Sequence, residues 1–351
     1  MEQLPFFSFL FAYCIANIQG EKPRHTFWAR HPWLRRATAG TLAFLVVVIT
    51  ALLSIAYVYM PPEDRAQTPA YLTYLQDHHL DGYIDAGDFR LHYVHEGKGK
   101  PLILLPGTGA WIYSFRSIIP TLAQHYSVYA IDIPGDGYTT PLSSRPDYSA
   151  LYTLPSIDQS LLAFLDHFHL KQVAMGGNSE GGGIALSFAE QYPDRVSKYI
   201  SLDGTGLNIP DSWTWQVIGF PVVGEVYIKL TASRSTMQQV ISASTVHLRV
   251  TDQIVQQYYI PSTFHQNIVS WWMQERNIHW EGTDYLLSQL KIPVLVIWGK
   301  QDSVLDPHLY LPRWRRLSPH ATLVEIDQAD HAVQEDQPEQ VSQLLLHFLA
   351  V

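Results

Sequence analysis

Residues 38–60 form an unbroken apolar stretch without a single charged side chain. As a helix this stretch would span about 34 Å, enough for a hydrocarbon core of roughly 30 Å. Tyr57 and Tyr59 sit at its end, where interfacial aromatics belong, and Pro61-Pro62 stops the helix. A buried core helix would be shorter and carry a polar face. A cleaved signal peptide would begin earlier and end at a small-x-small site. The pattern therefore predicts a transmembrane helix over 38–60. A second apolar run, 4–18, is marginal in length and reads as an interfacial segment or a mis-assigned start of translation.

Beyond the helix, 61–80 reads as a tether, Pro-rich at first and then weakly amphipathic around Tyr71, Leu72 and Leu75. From Gly82 the period changes to two. Phe89, Leu91 and Tyr93 alternate, and Ala86-Gly87-Asp88 marks the turn of a hairpin. Short, almost wholly apolar runs follow at 102–105, 128–133, 173–175, 199–202, 294–298 and 323–326, the pattern of parallel strands covered on both faces. Helical spacing fills 156–168, 182–191 and 338–348. Strands alternating with helices predict an α/β fold with a mostly parallel, doubly wound sheet.

One segment breaks the alternation. Some ninety residues after Leu202 contain no convincing strand but hold Trp213, Trp215, Trp271, Trp272 and Trp280. A structureless loop of that length is improbable, so a helical lid over the carboxyl ends of the strands is expected. The expected organisation is a basic segment over 1–37, the transmembrane helix over 38–60, a tether over 61–81, a core over 82–204 and 291–351, and the lid over 205–290.

Composition changes this picture in three respects. A net charge of −9 excludes a nucleic-acid partner for the main domain, because such surfaces need a basic footprint. The single cysteine, Cys14, lies in the first apolar run, so the body has neither disulfides nor a cysteine metal site. Sixteen histidines form no H-E-x-x-H or paired Cys/His pattern, and no metal or organic cofactor is implied. Charge also orients the helix. Between the two apolar runs Lys22, Arg24, Arg30, Arg35 and Arg36 stand against Glu21 alone, whereas Glu63 and Asp64 follow the helix. Positive-inside bias predicts a single-pass chain with its main domain outside the cytoplasm.

The sharpest chemical signal is Gly177-Asn178-Ser179-Glu180-Gly181, between an apolar strand and a helix. Alone, G-x-S-x-G is an ordinary glycine-rich turn; in the strand–turn–helix setting it is a nucleophile elbow. A serine hydroxyl needs a base, and the base an orienting carboxylate. Asp302, in Trp298-Gly299-Lys300-Gln301-Asp302, follows one strand, and His331, after Gln328-Ala329-Asp330, follows the last. Taken singly they are a capping carboxylate and a surface histidine. Together they give a hydroxyl, an acid and an imidazole at one end of the sheet. The turn Pro106-Gly107-Thr108-Gly109 follows another strand, so the backbone N–H groups of Thr108 and Glu180 are assigned to an oxyanion hole.

From Gly82 onward the chain resembles the lid-bearing α/β-hydrolase superfamily. Besides these residues, Asp132-Ile133-Pro134-Gly135-Asp136-Gly137 is similar to the D-x-P-G-x-G turn of these enzymes, and 331–338 to the segment leading into their last helix. Ser114-Phe115-Arg116 through Pro120 and Leu122 resembles the helix after the oxyanion turn in dehalogenase-like and C–C-bond-cleaving members. Three departures stand out. Pro106-Gly107 replaces the usual His-Gly, a serine nucleophile argues against the aspartate-dependent dehalogenase and epoxide-hydrolase chemistries, and Glu180 puts a carboxylate next to the nucleophile. Arg116 is read as the candidate partner of Glu180.

The resemblance implies a carboxylesterase-like serine hydrolase acting on an apolar small molecule, with the membrane as its other partner. The alternatives are hydrolysis of a C–C bond in a diketone-like substrate, or a membrane-tethered binding protein on a degenerate hydrolase fold. Nothing in the sequence fixes the oligomeric state.

Overall fold

The computed structural model describes residues 31–144, 147–210 and 212–350. The apolar run 4–18, Cys14 and the basic residues Lys22, Arg24 and Arg30 lie outside them. The chain divides into two units, 1–54 and 55–351. Helix α1 covers Pro32–Tyr57, and its stretch Arg36–Tyr57 is long and apolar enough to cross a membrane.

The segment expected as a tether is docked rather than loose. The Asp64 N–H donates to Thr263 Oγ1 at 2.9 Å and the Tyr71 N–H to Gln257 Oε1 at 3.1 Å. Its short helix α2 (Ala70–Asp77) buries Leu72 and Leu75, and desolvating those two side chains is what holds the segment to the core.

The alternating residues then pair as an antiparallel hairpin, β1 (Asp81–Ala86) and β2 (Phe89–Glu96), turning where expected. β3 (Lys100–Leu105), β4 (Tyr126–Ile131), the two-residue β5 (Thr140–Pro141), β6 (Val173–Asn178), β7 (Val196–Leu202), β8 (Val294–Gly299) and β9 (Thr322–Ile326) complete the sheet. Its order is β1-β2-β4-β3-β6-β7-β8-β9, with β5 beside β2. Every pairing from β4 through β3 to β9 is parallel. The apolar runs are continuous because both faces are covered. Ile103 and Leu105 pack into one hydrophobic cluster, Leu102 and Leu104 into the other.

Helices α3 (Leu154–His167) and α4 (Glu180–Gln191) pack on the first of those faces. α3 starts two residues before its apolar period because Thr153 caps it and Pro155 fits the first turn. Between β7 and β8 the described residues form six helices: α5 (Trp213–Gly219), α6 (Val223–Thr231), α7 (Arg234–Ala243), α8 (Asp252–Ser262), α9 (His265–Asn277) and α10 (Thr283–Leu287). α11 (Pro307–Leu317) joins β8 to β9, and α12 (Pro338–Ala350) closes the chain.

Asp158 on α3 is buried and Glu190 on α4 is half-buried. Burial pushes Asp158 up to about 7, and burial together with the charge of Asp158 pushes Glu190 up to about 9. Both folded-state values lie above the unfolded ones, so the folded state holds these protons more tightly. The associated stability is full below the ordinary carboxylate range and is lost as pH rises through about 7 and about 9. Glu190→Gln is therefore expected to raise Tm at pH 9 and leave it unchanged at pH 5, at about 2–4 °C per kcal/mol recovered. Thermal melts at the two pH values test this; equal shifts would refute it.

Candidate active site

Strand β6 delivers Asn178 and helix α4 begins at Glu180, leaving Ser179 to make the whole turn at φ 52°, ψ −125°. Such a conformation costs about 1–3 kcal/mol in a non-glycine residue. It is held by hydrogen bonds on both sides. The Ser179 N–H donates to the Leu202 carbonyl at 3.1 Å, and its own carbonyl accepts from the N–H groups of Gly182 and Thr205, each at 3.0 Å. The flanking glycines are needed for close approach. A Cβ on Gly181 would lie 2.3 Å from the carbonyl oxygens of both Leu105 and Pro106, and one on Gly177 2.4 Å from that of Leu105. The elbow can thus press against the turn leaving β3, where a Cβ on Gly107 would lie 2.8 Å from the Ser179 Cβ.

Asp302 and His331 come from the loops after β8 and β9. His331 Nδ1 lies 3.1 Å from Asp302 Oδ2, and both residues are buried. The other carboxylate oxygen of Asp302 accepts the N–H groups of Val304 and Leu305 at 2.9 and 2.8 Å, which fixes the plane of the carboxylate. Asn178 Nδ2 donates to the His331 carbonyl at 2.9 Å and to that of Leu202 at 3.0 Å, tying the histidine loop to the elbow. Ser179 and His331 open onto one cavity of about 560 Å³, together with Thr108 and Glu180. All five residues singled out in the sequence are thus gathered at the carboxyl end of the sheet. Of the five lid tryptophans, Trp215, Trp271 and Trp280 line this cavity, Trp272 is buried among the lid helices, and Trp213 faces outward.

Several polar groups around the site went unread in the sequence. Asp136 Oδ1 accepts the Gly109 N–H at 2.8 Å, and Asp132 Oδ1 accepts the Ile112 N–H at 2.8 Å, so the two acids of the D-x-P-G-x-G turn pin the oxyanion turn from behind. Asp132 Oδ2 also accepts the Tyr138 N–H and lies 2.7 Å from His92 Nδ1. Burial, reinforced by the charge of Glu180, pushes the Asp136 carboxyl well above its usual range. The motif is legible in the sequence; the distant N–H groups that its carboxylates accept are not. Asp203, at the end of β7, accepts the N–H groups of Gly299 and Val333 at 2.7 and 3.3 Å. Burial and the neighbouring charge of Asp302 push its carboxyl well up.

The expected pairing of Arg116 with Glu180 does not form. Arg116 Nη1 donates to Glu335 Oε2 at 2.6 Å and its guanidinium lies 4.0 Å over the Tyr113 ring. The tight turn Ile112–Phe115 places Arg116 toward the Val333–Asp336 turn. Glu180 accepts instead from the Thr108 hydroxyl, a neighbour across the oxyanion turn.

A family model described as alpha/beta hydrolase fold matches residues 100–219 and 255–338, more than half of the chain. The unmatched stretch between them holds α6 and α7. Cis-3-alkyl-4-alkyloxetan-2-one decarboxylase of Shewanella oneidensis is 26% identical over 278 residues, which cover 74% of this chain and 85% of the relative. The structure of a meta-cleavage product hydrolase from Pseudomonas fluorescens is similar at a TM-score of 0.66 and 23% identity, covering 77% of this chain and 97% of its own. That of a membrane phospholipase A is similar at a TM-score of 0.64 and 19% identity, covering 90% of this chain and 98% of its own. With its sheet, its elbow and this match in agreement, the chain belongs to the α/β-hydrolase fold family.

Proposed function

We propose that the chain is a serine hydrolase that cleaves an ester or related acyl bond of an apolar molecule. The observation that carries this reading is the strained Ser179 opening onto the same cavity as His331, whose Nδ1 is held by Asp302. In this mechanism His331 Nε2 takes the proton of Ser179 as its Oγ attacks the carbonyl carbon. Asp302 keeps the imidazole in the required tautomer and stabilises the imidazolium. The tetrahedral oxyanion is met by the N–H groups of Thr108 and Glu180. His331 then protonates the leaving group, and water, deprotonated by the same imidazole, releases the acid from the acyl-enzyme.

The test is labelling with a fluorophosphonate probe. The wild type is expected to label and Ser179→Ala to remain unlabelled; a folded wild type that fails to react would favour a binding role on the same fold.

A second reading is hydrolysis of a C–C bond, supported by the likeness to the meta-cleavage product hydrolase. Product analysis with an aryl ester and with a vinylogous diketone separates the two. The reading also includes anchoring by α1 with the main domain outside the cytoplasm, supported by the apolar length of Arg36–Tyr57 and the basic residues preceding it. Protease treatment of intact cells is then expected to remove the main domain, and its protection would reverse the orientation.

A further inference from the structure

The outward surface of α5 and α6 has an unusual composition. Over residues 212–233 only Glu225 and Lys229 are charged. Both are buried. Glu225 is clamped by Arg276 through two hydrogen bonds of 2.8 Å, and Lys229 Nζ donates to the carbonyls of Ala56 at 2.7 Å and Ile55 at 3.3 Å. What remains outside is apolar. Val223, Tyr227 and Leu230 fall at i, i+4 and i+7 on one exposed face of α6, and Phe220 and Trp213 just before it are exposed too, the latter 74%. The opposite face of α6 buries Ile228 in the lid core. The charged side chains of α6 are thus turned inward, and its outward face is left without charge.

Behind this surface lies a second cavity, of about 280 Å³. Its walls include Ile218, Ile228, Met237 and Ile268; Tyr227 borders it from the exposed face, and Trp215, Val240 and Trp271 line both it and the cavity that holds Ser179.

We propose that the α5–α6 face rests in the interface of a lipid bilayer, and that the cavity behind it takes the hydrocarbon tail of a lipid ester drawn from that bilayer toward Ser179. The substrate part rests on the serine-hydrolase reading; the docking part does not. A bilayer fits this face better than another protein for two reasons. An exposed face without charge, carrying Trp and Tyr, matches the headgroup boundary. Within the unit 55–351, Lys229 on α6 satisfies carbonyls of residues 55 and 56, the last turn of the helix apolar enough to span a membrane. The helix that carries this face is therefore tied directly to residues 55 and 56.

The test uses the full chain reconstituted in dioleoylphosphatidylcholine vesicles, with Cys14→Ser and Leu230→Cys carrying an environment-sensitive fluorophore. Emission is expected to shift to the blue and to be quenched by nitroxide-bearing phosphatidylcholine. Water-like, unquenched emission would overturn the docking, as would a shift that follows protein concentration without lipid quenching, which would indicate a second copy. For the cavity, Thr236→Trp should lower kcat/KM for a palmitoyl ester by at least about tenfold while sparing a butyryl ester, because each methylene denied burial weakens binding. Equal losses on both esters, or none, would overturn the tail site. Retained butyryl turnover reports that the variant folds. If the wild type cleaves neither ester, the hydrolase reading fails while the fluorophore still decides the docking.

Discussion

Ser179→Ala is expected to lower kcat for a soluble ester by roughly 10⁶-fold, and adding His331→Ala to it is expected to cost nothing more. The reason is that the two side chains act as one unit. Without the hydroxyl there is no nucleophile for the imidazole to deprotonate, and without the imidazole the hydroxyl keeps its proton. The elbow geometry should survive the first substitution, because Ser179 is held through its backbone N–H and carbonyl. The residual rate then reports the oxyanion turn and substrate binding alone. Steady-state kinetics of the wild type, both single variants and the double variant give the answer. Losses that multiply would mean that the two residues do not share a step.

Asp302→Asn is expected to lower kcat by about 10⁴-fold with little change in Tm. An asparagine can still accept the N–H groups of Val304 and Leu305 through its carbonyl oxygen. Its amide would then face His331 Nδ1 as a donor and favour the wrong tautomer. Asp203 is the natural control. It is equally buried and close enough for its titration to feel Asp302, but its oxygens are engaged by the backbone of the β8 and β9 loops. Asp203→Asn should cost about 1–3 kcal/mol of stability by mismatching a buried acceptor, while leaving kcat within roughly tenfold. Denaturant titration and kinetics on both variants separate the roles. The reverse pattern would move the orienting carboxylate to Asp203.

The same contrast bears on how the pH response divides. Asp136 and Asp203 both have carboxyls raised well above their usual range by burial, and each sits behind a loop that carries a proposed site residue. Their ionisation at high pH strains the scaffold rather than the chemistry. It adds to the alkaline loss of stability assigned to Asp158 and Glu190.

Local periodicity and residue chemistry determined much of this protein. The apolar runs that follow the hairpin became parallel strands, since a fully apolar strand has no stable place except between two covered faces. The Gly177–Gly181 motif became a strand–turn–helix because only glycines tolerate the carbonyl contacts at 2.3–2.4 Å. Pro61-Pro62 lies just past the end of α1 at Tyr57, as the missing N–H groups require. Sequence could not decide what depends on partners distant along the chain. Residues 61–80 have weak local structure but dock through Leu72 and Leu75, so they are no free tether. Charge alone pairs Arg116 with Glu180, whereas packing puts it 2.6 Å from Glu335. The carboxylates of Asp132, Asp136 and Asp203 accept backbone N–H groups 20 to 130 positions away. Whether a lid tryptophan faces cavity, core or surface followed from how six helices pack. A pattern of polar and apolar positions records how much of each residue must be hidden; only the assembled fold decides what hides it.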